Sequence, residues 1–139
     1  MPHNLRNGVL FACNMNSVRS PMAAVIARHL LAKTIHIDSV GVYTGELDPF
    51  IPAILAEQGL AFEDYTPKTF ADVDLADFDL IVALTPQAQM AARALAGTTA
   101  VVLWDIPNPT DTMGRRDQLI EAYRAARDTL MTKIAAELG

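Results

Sequence analysis

Hydrophobic positions along the chain fall into four short runs separated by stretches with helical spacing. Val9-Leu10-Phe11-Ala12, Ile35 to Val40, Leu80 to Leu84 and Ala100 to Trp104 are rich in β-branched residues and do not alternate strictly, the pattern of strands covered on both faces. Between them Met22, Val25, Ile26, His29 and Leu30 recur at intervals of three and four, as do Ile51, Ile54 and Leu55. Gln87 to Leu95 is dense in Ala, Gln, Met and Leu, and Leu119, Tyr123, Leu130 and Ile134 make Asp117 to Leu138 a long amphipathic stretch. Strand and helix alternate. This predicts an α/β fold with right-handed crossovers, a three-layer sandwich in which a four-stranded parallel sheet carries helices on both faces. Pro and Gly cluster at Gly45 to Pro52 and at Pro107 to Gly114, which predicts surface loops at element ends.

The length of 139 residues suits one core, and no repeat or linker divides the chain, so residues 1–139 are expected to form a single domain. With 51% hydrophobic and 19% charged residues the chain is too apolar to be disordered. Eleven Lys and Arg against sixteen Asp and Glu leave a net charge of -5, which disfavours a nucleic-acid backbone or an anionic membrane as partner. No apolar run approaches the roughly 20 residues of a membrane span. The stretch Gly8 to Cys13 lacks the length and cleavage site of a secretory signal. A single cysteine allows no internal disulfide and fits a reducing cytoplasm.

Chemistry concentrates where the first strand ends. Cys13 closes the strand, the polar loop Asn14-Met15-Asn16-Ser17-Val18 follows, and Arg19-Ser20-Pro21 opens a helix. Ser20 is expected to be the N-cap and Pro21 the first helical residue. In a parallel sheet such a loop lies at the carboxyl ends of the strands, where loop amides and a helix N-terminus converge on an anion. A thiol beside a guanidinium and a helix start is expected to ionise readily and act as a nucleophile. The planar fork of Arg19 matches two oxygens of a phosphate or similar oxyanion in a way that a lysine does not. The plainer reading makes Cys13 a small apolar residue finishing a buried strand.

Other residues give weaker signals. His3, His29 and His36 show no ligand spacing, and the series Asp72, Asp74, Asp77 and Asp79 reads as a solvated face, so no metal is expected. Trp104 reads as packing at a strand end, Tyr43 and Glu46 as rim residues, and Arg115-Arg116 as a solvated pair starting the last helix.

The run Cys13 to Ala23, CNMNSVRSPMA, resembles the signature of the low-molecular-weight protein tyrosine phosphatases and the related thioredoxin-type arsenate reductases, Cys-x-Gly-Asn-x-Cys-Arg-Ser. Ser39-Val40-Gly41 is similar to the family's Ser-Ala-Gly, Phe78-Asp79-Leu80-Ile81 to its approach to the third strand, and Asp105-Ile106-Pro107-Asn108-Pro109 to its Asp-Pro loop. The resemblance implies a hydrolase of phosphate monoesters, of phosphotyrosine type, working through a cysteinyl-phosphate without cofactor or metal. By that resemblance Cys13 attacks phosphorus, Arg19 stabilises the transferring group, Ser20 hydrogen-bonds the thiolate and Asn16 braces the loop, with Asn14, Met15, Asn16, Ser17, Val18 and Arg19 around the phosphate. The implied partner is a small phosphate ester or a phosphoprotein.

Several positions depart from the family pattern. Met15 replaces its Gly, which predicts a stiffer or slightly reshaped loop. Val18 replaces a second Cys, which removes an internal disulfide from the chemistry. Asn108 replaces the Asp that protonates the leaving oxygen, with Asp105 and Asp111 three residues to either side, and Thr110-Asp111 replaces an aromatic pair. An amide does not donate such a proton, so the expected activity is weak on poor leaving groups. Two alternatives remain: an arsenate reductase completed by an external thiol, and a catalytically weak phosphate- or phosphoprotein-binding module.

Overall fold

The computed structural model describes residues 5–62, 65–111 and 114–139. His3 and the 112–113 part of the predicted loop at Pro107 to Gly114 lie outside them. Eight elements follow one another: β1 (Gly8–Cys13), α1 (Arg19–Leu30), β2 (His36–Gly41), α2 (Ile51–Ala56), β3 (Leu80–Ala83), α3 (Pro86–Leu95), β4 (Ala100–Leu103) and α4 (Arg116–Glu137). Short 3-10 turns at Phe70–Asp72, Leu75–Asp77 and Pro109–Asp111 punctuate the connections.

The strands form one parallel sheet in the order β2-β1-β3-β4, with Phe11 level with Ser39 on one side and Val82 on the other. Pleating sends alternate residues of β1 to opposite faces. Val9, Phe11 and Cys13 pack with Met22 and Ile26 of α1 and with Leu130 and Ile134 of α4. Leu10 and Ala12 pack with Ala88 and Ala92 of α3 and with Phe70 and Phe78. Every residue of β1 is buried, and each large side chain so covered contributes about 1.5–3 kcal/mol. Residues 80–84 are likewise buried, whereas β4 departs from the expectation of a strand covered on both faces. It lies at the sheet margin, where Ala100 and Leu103 are exposed and Val101 and Val102 half-buried.

From β1 the chain crosses to β2 on one side of the sheet, and from β3 it crosses to β4 on the other. Right-handed crossovers in opposite directions put α1 and α3 on opposite faces, and the reversal falls at the carboxyl end of β1, between β2 and β3. That is where Cys13 stands. The acidic series is at the surface but is not simply a solvated face: Asp74 accepts from the Ala76 amide, Asp72 from Thr69, and Asp79 from the amides of Arg6, Asn7 and Gly8 ahead of β1. The Asn7 amide, with those of Arg6 and Gly8, holds the Asp79 carboxyl below the ordinary carboxylate range.

Candidate functional site

Residues 14–18 lead from β1 into α1, and the chain leaving β2 fastens them from outside. Val42 N–H donates to the Cys13 carbonyl at 3.0 Å, Tyr43 N–H to Asn14 at 2.8 Å, Gly45 N–H to Met15 at 2.9 Å and Asp48 N–H to Ser17 at 3.0 Å. In a trans peptide the N–H points opposite to the C=O. With those carbonyls held outward, the N–H groups of Asn14, Met15, Asn16 and Val18 turn toward the loop's interior, where they have no hydrogen-bond partner among the described residues. A ring of inward donors at the end of a parallel strand is an anion cradle.

Close approach makes the fastening possible. A Cβ on Gly41 would lie 2.3 Å from the Tyr43 carbonyl oxygen and 2.6 Å from the Asn16 nitrogen, both backbone atoms. No side chain fits there.

Asn16 is the one non-glycine residue with positive φ (52°) among the described residues, and it is wholly buried. Its amide explains why it tolerates that conformation. Nδ2 donates to Ser20 Oγ at 2.7 Å and to Ser39 Oγ at 3.2 Å, while Oδ1 accepts from the Lys68 N–H at 2.8 Å and from the Tyr65 hydroxyl. Burial pushes the Tyr65 phenol up to about 12, with hydrogen bonds to Ser39 and Asn16 opposing the shift. It therefore remains a hydrogen-bond donor at neutral pH. Met15 does not take the left-handed conformation, so its substitution for glycine brings no strain of that kind; its side chain packs against Gly45 at the rim, 43% exposed.

Ser20 is not the N-cap. Helix α1 begins at Arg19, Val18 precedes it without a side-chain cap, and Pro21 sits third, still in the first turn, where its missing N–H leaves no helical bond unmade. The Ser20 hydroxyl is taken instead by the site, 3.0 Å from Cys13 Sγ and 3.2 Å from the Val40 carbonyl oxygen. Arg19 is half-buried and its Nη1 donates to the Ile106 carbonyl at 3.0 Å, which braces the guanidinium from the loop after β4. Asn14 Oδ1 accepts from Thr85 Oγ1 at 2.7 Å, and the same oxygen of Thr85 caps α3 by accepting from the Ala88 N–H.

Above the sulfur lies a cleft of about 330 Å³, walled by Met15, Ser17, Val18 and Arg19, by residues 46–49, and by Asn108 and Thr110. The two flanking carboxylates do not reach it: Asp105 and Asp111 are exposed and absent from the walls. Asn108 lines the cleft with its Oδ1 accepting from the Thr110 N–H at 3.1 Å. Its carboxylates are instead Glu46 and Asp48. Sequence reasoning reaches Glu46 only as a rim residue, and Asp48, Tyr65, Thr85 and the Ile106 carbonyl carry no sequence signal, since each enters through a long-range contact. Trp104 is buried against Phe11 rather than in the cleft, and Tyr43 is exposed. His29 and His36 are exposed and His36 stacks on Phe78. A larger groove of about 810 Å³ beside α1, near Arg28, Lys33 and Lys68, includes none of residues 13–19. No group of three or more His, Cys, Asp or Glu suited to a metal ion occurs among the described residues, and no described helix is long and apolar enough to cross a membrane.

A sulfur under inward amides, with a guanidinium at the lip and a hydroxyl at hydrogen-bond distance, can bind a tetrahedral oxyanion and attack its central atom. Comparison with known proteins places the chain in a family. The chain is 28% identical to the low molecular weight protein-tyrosine-phosphatase YfkJ of Bacillus subtilis, over 93% of this chain and 96% of that protein. It is 26% identical to an arsenate reductase of Staphylococcus aureus, over 73% of this chain and 77% of that protein. The crystal structure of a low molecular weight protein tyrosine phosphatase from T. tengcongensis superposes with a TM-score of 0.77 at 23% identity, covering 93% of this chain and 95% of that one, and so shares the fold. The family described as low molecular weight phosphotyrosine protein phosphatase matches residues 8–138, and to that family, whose members here stand alongside arsenate reductases, this chain belongs.

Proposed function

We propose that the protein is a hydrolase of phosphate monoesters, of phosphotyrosine type, working through a phosphate carried on Cys13. The observation that carries this reading is the placing of Cys13 Sγ 3.0 Å from Ser20 Oγ, at the start of a loop whose carbonyls at Cys13, Asn14, Met15 and Ser17 are tied to residues 42–48, which leaves the N–H groups that follow them free for an anion. Sulfur attacks phosphorus, the ester oxygen departs, and water then releases the phosphate. Arg19 and the loop amides hold the equatorial oxygens as charge redistributes, which costs no reorganisation because Ile106, Val42, Tyr43, Gly45 and Asp48 already fix them. The whole chain acts as one catalytic domain on a small phosphate ester or phosphoprotein, and its lone thiol suits a reducing compartment such as the cytoplasm.

Leaving-group protonation is the weak point of this site, since Asn108 has no proton to give. Losing a general acid typically costs about 10² to 10⁴ in rate, least for acidic phenols. Hydrolysis of para-nitrophenyl phosphate by wild type and by Cys13→Ser tests the reading; equal rates would remove it.

The arsenate reductase of Staphylococcus aureus supports a second reading, reduction of arsenate. Cys13 would bond to arsenic, and because this chain has no further cysteine, two external thiols would have to supply the two electrons and leave as a disulfide. Arsenite release with glutathione present, and none without it, would establish this activity.

A further inference from the structure

Expulsion of an alkoxide or ordinary phenoxide requires a proton at the departing oxygen, and the cleft offers two carboxyl groups, Glu46 and Asp48, on the strand of chain that leaves β2. We propose, on the basis of the hydrolase reading above, that Glu46 is the group that protonates the leaving oxygen.

Two observations select Glu46 over Asp48. Asp48 has both oxygens engaged, Oδ1 accepting from the Phe50 N–H at 2.8 Å and Oδ2 from the Tyr123 hydroxyl, so its carboxyl is tied to the cleft wall and turning it toward a leaving oxygen would break one of these bonds. Burial and the Asp48 acceptor both hold the Tyr123 phenol above its ordinary value, which keeps that hydrogen bond in place. The Glu46 carboxylate has no hydrogen-bond or ion-pair partner among the described residues and is exposed at the mouth of the cleft. Its backbone is nonetheless positioned. Gly45 on one side and Asp48 on the other are tied to the Met15 and Ser17 carbonyls at 2.9 and 3.0 Å, so the segment carrying Glu46 is stitched to the loop around the phosphate at both ends. The titratable and charged groups sharing the cleft with it are Cys13 at the end of β1, Arg19 at the start of α1, and Asp48; the wall after β4 contributes Asn108 and Thr110, which are neutral.

The steps balance. As the Cys13 Sγ–P bond forms and the P–O ester bond breaks, the Glu46 carboxyl gives its proton to the departing oxygen. Water then attacks phosphorus, the S–P electron pair returns to sulfur, and the Glu46 carboxylate takes the water's proton.

The test compares wild type, Glu46→Gln and Asp48→Asn on phenyl phosphate and on para-nitrophenyl phosphate across pH, reading kcat/KM, which reports the steps through thiophosphate formation. Glu46→Gln is expected to lower kcat/KM on phenyl phosphate by about 10² or more, and on para-nitrophenyl phosphate by at least tenfold less. The decline in wild-type kcat/KM with rising pH on phenyl phosphate should flatten in Glu46→Gln alone. Equal losses on both substrates, no loss on either, or transfer of the pH effect to Asp48→Asn would each overturn the assignment while leaving the hydrolase reading intact. Undiminished turnover by Cys13→Ser would instead remove that reading, and the assignment with it.

Discussion

Ser20 Oγ lies 3.0 Å from Cys13 Sγ and 3.2 Å from the Val40 carbonyl oxygen, and it has one proton to share between them. Its own lone pair is held by Asn16 Nδ2 at 2.7 Å, which orients the hydroxyl. When the sulfur carries charge, the better acceptor is the sulfur; when it is bonded to phosphorus, the carbonyl is. The hydroxyl can thus follow the charge on Cys13 through the two steps proposed above.

Ser20→Ala is therefore expected to reduce kcat. Hydrogen bonds to charged groups contribute about 1.5–3 kcal/mol, which corresponds to about 10- to 100-fold in rate. Stopped-flow kinetics should show the loss chiefly as slower formation of the thiophosphate. A variant with wild-type kcat would show that the proton serves Val40 throughout.

Tyr65→Phe removes the hydroxyl that bonds Asn16 Oδ1 and approaches Ser39 Oγ at 2.6 Å, leaving the Lys68 amide as the remaining donor to that oxygen. The fold is expected to lose about 1–2 kcal/mol, measured by denaturant unfolding. Because Tyr65 holds Asn16 in its left-handed conformation, inhibition by orthophosphate should also weaken several-fold. Stability lost with inhibition unaltered would assign Tyr65 to packing alone.

Gly41→Ala places a methyl 2.3 Å from one backbone atom and 2.6 Å from another, neither of which can rotate away. Overpacking of this kind costs about 1–3 kcal/mol, and here the yielding part is the attachment of residues 14–16 to the chain after β2. Unfolding free energy and vanadate affinity should fall together. A stable variant that binds vanadate as tightly as wild type would contradict the close approach.

Glu57 links α2 to α4, receiving Arg124 Nε and Nη2 and Arg127 Nη1. The Arg124 guanidinium, with that of Arg127, lowers its carboxyl from 4.5 to about 2. A depressed carboxylate pKa stabilises the folded state above the unfolded value, and that contribution is lost as pH falls through the folded one. Wild-type stability should decline between pH 4.5 and about 2. Glu57→Gln should be less stable at neutral pH, with the difference shrinking to nothing across that interval. Urea titrations at several pH values check this, and parallel curves for the two proteins would refute it.

Local pattern carried most of the architecture. The four apolar runs became the four strands, the stretches at three- and four-residue spacing became α1 to α4, and Cys13 through Arg19 formed the turn between strand and helix. Composition and periodicity can do this because burial of a strand or a helix face depends on neighbours a few residues away. Where the same local rule met a competitor, it failed. Ser20 before a proline has the local form of a cap, yet its hydroxyl faces a thiol seven residues back, and the thiol has the prior claim.

What only the tertiary structure decided were the contacts made across the sheet. The register of β1 against β2 brings Gly41 level with Cys13, and from that pairing follow the bonds of residues 42–48 to the loop and the place of Glu46 and Asp48 at the cleft; the reach of Tyr65 to Asn16, 49 residues away, is a second long-range contact. The chain's order of residues determined that a thiol, a guanidinium and a short polar loop would sit together at a strand end. Which carboxylate would share their cleft depended on a long-range backbone pairing, and no short-range pattern of residues encodes that.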